Sequence, residues 1–369
     1  MEQRQQPIQR LVVKVGSSVL TDAAGRPDAG RLKLIVGQLA ACGDRGCEVV
    51  FVSSGAIACG MGRLGFARRP KALGELQACA AVGQGELMRL YTHAFAQHDR
   101  TVAQLLLTQS DFDDRARCRN VKTTLRALLA RGVMPIINEN DVVAVEEITF
   151  GDNDRLAALV ACLVEAQLLV ILSDVDGLLH DGQVIGRIDR LEDAHRVVVL
   201  GESRETTTGG MAAKLSAAKI TQHGGIPLVI ANGTRANVLI DILDGKPVGT
   251  LISPPKVRLA FRKWWIAFSA RNPRGTVVVD EGAARALRHQ GRSLLASGIR
   301  EVHGRFHAGD PITILDEART ELGRGLSNFS SSELSRIRGL HSRRIAEVLG
   351  HQAAEEAVHR NNLVLTSEL

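Results

Sequence analysis

Two lysines stand beside glycines in this chain in ways that suit a phosphate. Lys14 ends an apolar run and is followed by Gly16, Ser17 and Ser18. Lys214 sits one helical turn beyond Thr208, Gly209, Gly210 and Met211. A lysine inside an apolar strand is costly unless it is paired or reaches a ligand. Glycine turns can gather backbone N–H groups into an anion nest, and lysine adds a point charge. Each has a plainer alternative: a strand-edge lysine snorkelling to water, or a loosely ordered loop entering an amphipathic helix.

Two further clusters are polar in a different way. Ser53, Ser54, Gly55, Ala56 and Ile57 read as a strand end, a small-residue turn and a helix start. Helix N-termini receive carboxylates and phosphates, although serine there can be a simple N-cap. Asn138, Glu139, Asn140 and Asp141, with Gly151, Asp152, Asn153 and Asp154, concentrate carboxylates and amides on either side of an expected hairpin at 142–148. Asx residues are ordinary turn formers, but this density beside a strand end suits an ammonium group and the orientation of cationic side chains. Taken together, two lysines and a polar pocket can bracket a moving phosphoryl group, a transfer that needs positioning and charge neutralisation. The sequence has no P-loop, no protein-kinase motif set, no Ser-His-Asp order and no H-E-x-x-H motif.

These residues need a scaffold that brings strand ends together. Apolar runs at 11–15, 47–52, 102–107, 134–137, 168–172 and 228–231 read as strands. Helical spacing marks 32–40, 70–81, 86–96, 121–129, 156–163 and 211–223. Such alternation implies an α/β, three-layer αβα sandwich with a largely parallel central sheet. Ligands then sit at the carboxyl ends of the strands. The pattern changes near Ser253, and a turn-rich stretch at 271–275 follows the tryptophans Trp264 and Trp265. Beyond it come strands at 276–279 and 312–315, a helix at 281–289 and a largely helical 331–349. The expected domains are 1–262 and a small, β-rich 274–369.

Composition bounds the rest. The 369 residues are 45% hydrophobic and 23% charged, as in ordinary globular chains, and only 3% aromatic, so aliphatic side chains and alanine must fill the core. A net charge of +6 favours anionic ligands without choosing among them. None of the six cysteines forms a C-x-x-C pair. This argues against a zinc site or a disulfide framework and for reduced thiols. No apolar run is long enough to span a bilayer, and residues 1–9 lack the apolar stretch of a secretory signal. A cytoplasmic location without membrane association is expected.

The clusters around Lys14, Ser54, Asn138, Asp152 and Lys214 together resemble the amino-acid kinase family, in order and approximate spacing over nearly the whole chain, with a PUA-like domain from about Arg274. The strongest similarity is to members that phosphorylate the side-chain carboxylate of L-glutamate with ATP in proline biosynthesis. The resemblance implies that Lys14 and Lys214 hold the ATP phosphates and stabilise the transferring group, with Asp154 orienting both. It implies that Ser54, Asp141 and Asn153 bind glutamate, with Asn138 and Asp152 lining the pocket. Ser173, Asp174, Thr208, Gly209, Gly210 and Met211 would contact the nucleotide. Gly16 and Gly55 would offer N–H groups to phosphate and carboxylate. Magnesium would bridge the phosphates, without a metal site built from protein side chains. The product, L-glutamyl 5-phosphate, would pass to glutamyl-phosphate reductase. Proline would inhibit, and the chain would be a homo-oligomer.

The chain departs from the family pattern at Ser173, Ala212, Ala213, Cys118 and Arg119, and in a short 178–204 stretch. Sibling kinases acting on N-acetylglutamate, aspartate or UMP are the nearest alternatives. Carboxylates around Asp141 favour a free amino group. RNA binding by the C-terminal domain is the weaker reading, since base recognition uses aromatic platforms and these are scarce. Trp264 and Trp265 read instead as packing at the domain boundary.

Overall fold

The computed structural model describes residues 7–22, 25–144, 153–191, 193–194, 208–255, 258–269 and 273–368. The chain divides into two compact units, Met1–Arg258 and Leu259–Leu369. The segment bearing Trp264 belongs to the second unit.

The first unit opens with β1 (Arg10–Val15), α1 (Ser17–Leu20), α2 (Ala29–Asp44), β2 (Glu48–Ser53), α3 (Ala56–Leu64) and α4 (Leu73–Ala96). It continues with β3 (Val102–Leu107), α5 (Gln109–Asp113), α6 (Arg115–Leu129), β4 (Met134–Glu139), α7 (Asn153–Leu163) and β5 (Leu168–Ser173). Then follow β6 (Leu179–His180), β7 (Gln183–Val184), β8 (Arg187–Ile188), α8 (Thr208–His223), β9 (Leu228–Asn232), α9 (Val238–Leu243) and β10 (Thr250–Ile252). Eight strands form one sheet in the order β3-β4-β2-β1-β5-β9-β10-β8. Of its pairings only β9 with β10 is antiparallel. The expected largely parallel sheet is present, and β1 lies near its middle.

Alternation along β1 decides what each face carries. Leu11, Val13 and Val15 join one core with Leu32, Ile35 and Leu39 of α2 and Leu87, Tyr91 and Phe95 of α4. Val12 and Lys14 point to the opposite face, where α7 packs against β1 and β5. Ten of the eleven α7 residues are buried, because α8 covers the side turned away from the sheet. A helix apolar all round must be enclosed in this way. Ala157, Ala158 and Ala161 of α7 and Ala217 and Ala218 of α8 are all buried, small side chains that allow close approach.

The stretch expected as two helices, 70–81 and 86–96, is one 24-residue helix. Gly83 is not a breaker but a contact. A Cβ there would lie 1.8 Å from Ala56 O, and one at Gly60 would lie 1.8 Å from Cys79 O. Helices α3 and α4 therefore touch backbone to backbone. The hairpin expected at 142–148 falls mostly outside the described residues; those described, through Ala144, form a turn.

The second unit holds α10 (Phe261–Trp264), β11 (Gly275–Val279), α11 (Glu281–Gln290), β12 (Leu294–Leu295), β13 (Ile299–Gly304), β14 (Pro311–Leu315) and β15 (Glu321–Leu326). It ends with α12 (Ser331–Ile337), α13 (Ile345–Leu349), β16 (Glu356–Val358) and β17 (Leu363–Leu365). Five strands pair as β13-β11-β14-β15-β17 around Val277, Ile312, Ile314, Phe329 and Leu334. The helical stretch expected at 331–349 is split, with Gly339 at φ 75° between its two helices. Trp264 is 1% exposed and stacks on Phe261 with ring centroids 5.7 Å apart. No helix among the described residues is long and apolar enough to cross a membrane.

Candidate active site

The carboxyl ends of β1, β2, β4 and β5 converge on one edge of the sheet, and α7 starts beside them. Lys14, near the end of β1, faces the side that α7 covers. Its Nζ lies 2.6 Å from Oδ1 of Asp154 in the first turn of α7. Lys214, from the second turn of α8, places Nζ 3.2 Å from Oδ2 of the same carboxylate and donates to Gly210 O at 3.2 Å. Lys14, Lys214 and Asp154 are only 6%, 7% and 3% exposed. Burial would push the Asp154 carboxyl up, but the two ammonium groups outweigh it and hold the group below its ordinary value. Among the described residues, two cations on one anion leave a buried positive charge over. Buried charge is tolerated when it is compensated, and a phosphate would supply the missing negative charge.

A cleft of about 470 Å³ opens beside this cluster, lined in part by Ser17, Ser54, Gly55, Arg69, Asn138, Asp141 and Asn153. Asn153, just before Asp154, donates through Nδ2 to Ser53 O at 3.2 Å, Ser54 Oγ at 2.9 Å and Asn138 Oδ1 at 3.0 Å. Its Oδ1 is buried and has no hydrogen-bond partner among the described residues. Buried acceptors are nearly always paired, so this one is open to a donor. Burial pushes the Asp141 carboxyl up to about 6, against the opposing pull of the Arg69 guanidinium.

The remaining expected residues fall in different places. Gly55 has φ 106° and is the N-cap of α3, a left-handed conformation that glycine supplies. The N–H expected of Gly16 as a phosphate donor is instead given to Leu172 O at 3.0 Å, joining β1 to β5. A Cβ at Gly16 would stand in van der Waals contact with Lys14 Nζ, at 3.6 Å. Ser173, buried at the end of β5, donates to Oδ1 of the exposed Asp174 at 3.0 Å. Thr208, Gly209, Gly210 and Met211 form the first turn of α8, leading to Lys214. Asp152 lies outside the described residues.

Sequence reasoning missed Arg68 and Arg69, which reach the cleft from the loop between α3 and α4. A pair of arginines before Pro70 was the available signal. It also missed Gln84, whose Oε1 accepts from Asn138 Nδ2 at 2.8 Å. A polar residue between two glycines in mid-helix was the trace it left.

A largely parallel αβα sheet with two lysines gathered on one buried carboxylate at its strand ends defines the class: an α/β enzyme built to hold a phosphate beside a small polar ligand. The amino acid kinase family model matches residues 9–232 and the PUA domain model residues 275–349. The chain belongs to the amino acid kinase family. It is 46% identical over 363 residues to a protein named glutamate 5-kinase from Caldanaerobacter subterraneus subsp. tengcongensis, covering 96% of this chain and 97% of the relative. It is 47% identical over 364 residues to a glutamate 5-kinase of Thermus thermophilus, covering 97% and 98%. Against a glutamate 5-kinase of Syntrophus aciditrophicus the figures are 44% over 371 residues, covering 99% and 96%.

Proposed function

We propose that this chain transfers the γ-phosphoryl group of ATP to the side-chain carboxylate of L-glutamate, giving L-glutamyl 5-phosphate and ADP. The observation that carries this reading is the Lys14–Asp154–Lys214 cluster, with two cations to one anion among the described residues, beside a cleft holding Asn153 Oδ1, which has no partner among them. The name shared by the relatives supports glutamate as the acceptor.

Asp141 and Asn153 Oδ1 receive the substrate ammonium, with Asn138, Ser54 and the α3 N-terminus at Gly55 completing its pocket. The acceptor carboxylate is already an anion, so no base is required. Its oxygen attacks the γ-phosphorus, and the bond to the β–γ bridging oxygen breaks, releasing ADP. Lys14 and Lys214 balance the charge on the transferring group, and Asp154 keeps both ammonium groups in place. Such transfer rests on positioning and electrostatics. Ser173, Asp174 and the turn from Thr208 to Met211 hold the nucleotide. A magnesium ion would enter with ATP, bound mainly through its phosphates and water. When bound, the ion neutralises phosphate charge.

The same reading places the chain at the first step of proline biosynthesis in the cytoplasm, as a homo-oligomer inhibited by proline, its labile product passing to glutamyl-phosphate reductase. Hydroxylamine tests the chemistry, because it converts an acyl phosphate to a hydroxamate. Glutamate-dependent ADP release should be matched by γ-glutamyl hydroxamate. ADP release without hydroxamate would overturn carboxylate phosphorylation.

A further inference from the structure

The three amides that end in the cleft form a chain whose orientation is set at one point. Ser53 O is a main-chain carbonyl and can only accept. Asn153 Nδ2 lies 3.2 Å from it, so that end of the amide is the nitrogen. The same nitrogen lies 3.0 Å from Asn138, which must therefore present Oδ1. Asn138 then turns Nδ2 outward, 2.8 Å from Gln84, which must present Oε1. Amide oxygen and nitrogen are told apart by such partners. Reversing Asn138 would set nitrogen against nitrogen at Asn153 and oxygen against oxygen at Gln84. The chain ends at Asn153 Oδ1, buried and unpartnered among the described residues.

We propose that Gln84 is a positioning residue. Its acceptor oxygen keeps Asn138 Oδ1 turned to Asn153 Nδ2, reinforcing the orientation that Ser53 O sets, and so strengthens the hold on a substrate with a free ammonium group. This rests on the reading of the cleft as the glutamate pocket. An ammonium brings three donors and no acceptor, the complement of a fixed amide oxygen. Gln84 reaches Asn138 from α4 because Gly83, next to it, lets α4 lie against Ala56 at the start of α3. The loss of the Gln84 acceptor frees Asn138 to turn, and among the described residues Asn153 Nδ2 then keeps Ser53 O and Ser54 Oγ alone, which loosens its amide.

The test uses the full-length chain with Gln84→Glu, which keeps an acceptor, and Gln84→Met, which is similar in size and has only a weakly accepting sulfur. Gln84→Ala replaces the methionine variant if that one does not fold. Steady-state KM for glutamate and for ATP would be measured with competitive inhibition by glutarate, which lacks the ammonium. Gln84→Met should raise the glutamate KM about tenfold. The ATP KM, the glutarate Ki and kcat should stay within about threefold, and Gln84→Glu should keep a glutamate KM within about threefold of the parent. Equal effects of both variants, or a lowered Tm with an unchanged glutamate KM, would show a merely structural role and overturn the proposal. A parent chain that neither phosphorylates nor binds glutamate would instead remove the pocket assignment, and this proposal with it.

Discussion

Lys14 Nζ sits 2.6 Å from Asp154 Oδ1, although the two residues lie on separate elements and both are almost wholly removed from water. The contact exists because β1 turns Lys14 toward the face that α7 covers, and because α7 begins at the strand ends. Asp154 also holds Lys214. One carboxylate therefore sets the positions of two cations.

Asp154→Ala should leave two buried ammonium groups without an anion. Removing one partner of a buried pair costs about 3–5 kcal/mol. Chemical denaturation should show a loss of that size, together with near-complete loss of activity. A loss under about 1 kcal/mol would mean that the cluster is not held as described.

Lys214→Ala removes a charge needed when the phosphoryl group moves. Loss of a comparable preorganised donor lowers kcat by about 10²–10³. The glutamate KM should change little, since Lys214 is not among the residues lining the cleft. A variant with normal kcat and a raised glutamate KM would reassign Lys214 to the acceptor.

Asp141 gives a pH signature. Its carboxyl is raised to about 6 by burial. Above that pH it is charged and holds the substrate ammonium; below it the group is neutral and the attraction is lost. The kcat/KM for glutamate should therefore fall about tenfold per pH unit on the acid side, reporting the free enzyme. Asp141→Asn should raise the glutamate KM and abolish this acid limb. An unchanged limb in the variant would assign it to another group.

Gly16→Ala tests what that glycine supplies. Its backbone, at φ −71° and ψ 155°, suits any residue, and its N–H is already bound to Leu172 O. The added methyl would stand 3.6 Å from Lys14 Nζ. Stability should stay within about 0.5 kcal/mol, while the ATP KM rises. Steady-state assays and thermal melting separate the two effects, and a large stability loss would contradict this account.

Much of the site was legible because parallel strands announce themselves as apolar runs, and the polar residue that breaks such a run marks the strand end. The strand-end positions of Lys14, Ser54 and Asn138 were legible that way, whereas Ser173 came only from the family resemblance. Arg69, in the loop joining α3 to α4, and Gln84, which meets Asn138 from α4, were not legible, because their places depend on the contact of α3 with α4. That contact depends on Gly60 and Gly83, and a glycine inside a helical pattern looks the same whether it ends a helix or admits a neighbour. The Gly16 donor was misjudged for a similar reason. Local sequence shows that an N–H can turn toward an anion, but only the β1–β5 pairing shows that Leu172 has already taken it.

The most direct test of the central claim is ADP release with ATP and magnesium against L-glutamate, N-acetyl-L-glutamate, L-aspartate and UMP, with Lys214→Ala alongside. Release should occur with L-glutamate far above the other acceptors and should largely disappear in the variant. Release with another acceptor in preference to L-glutamate would contradict the assignment of the pocket, and release with none would contradict the kinase reading itself.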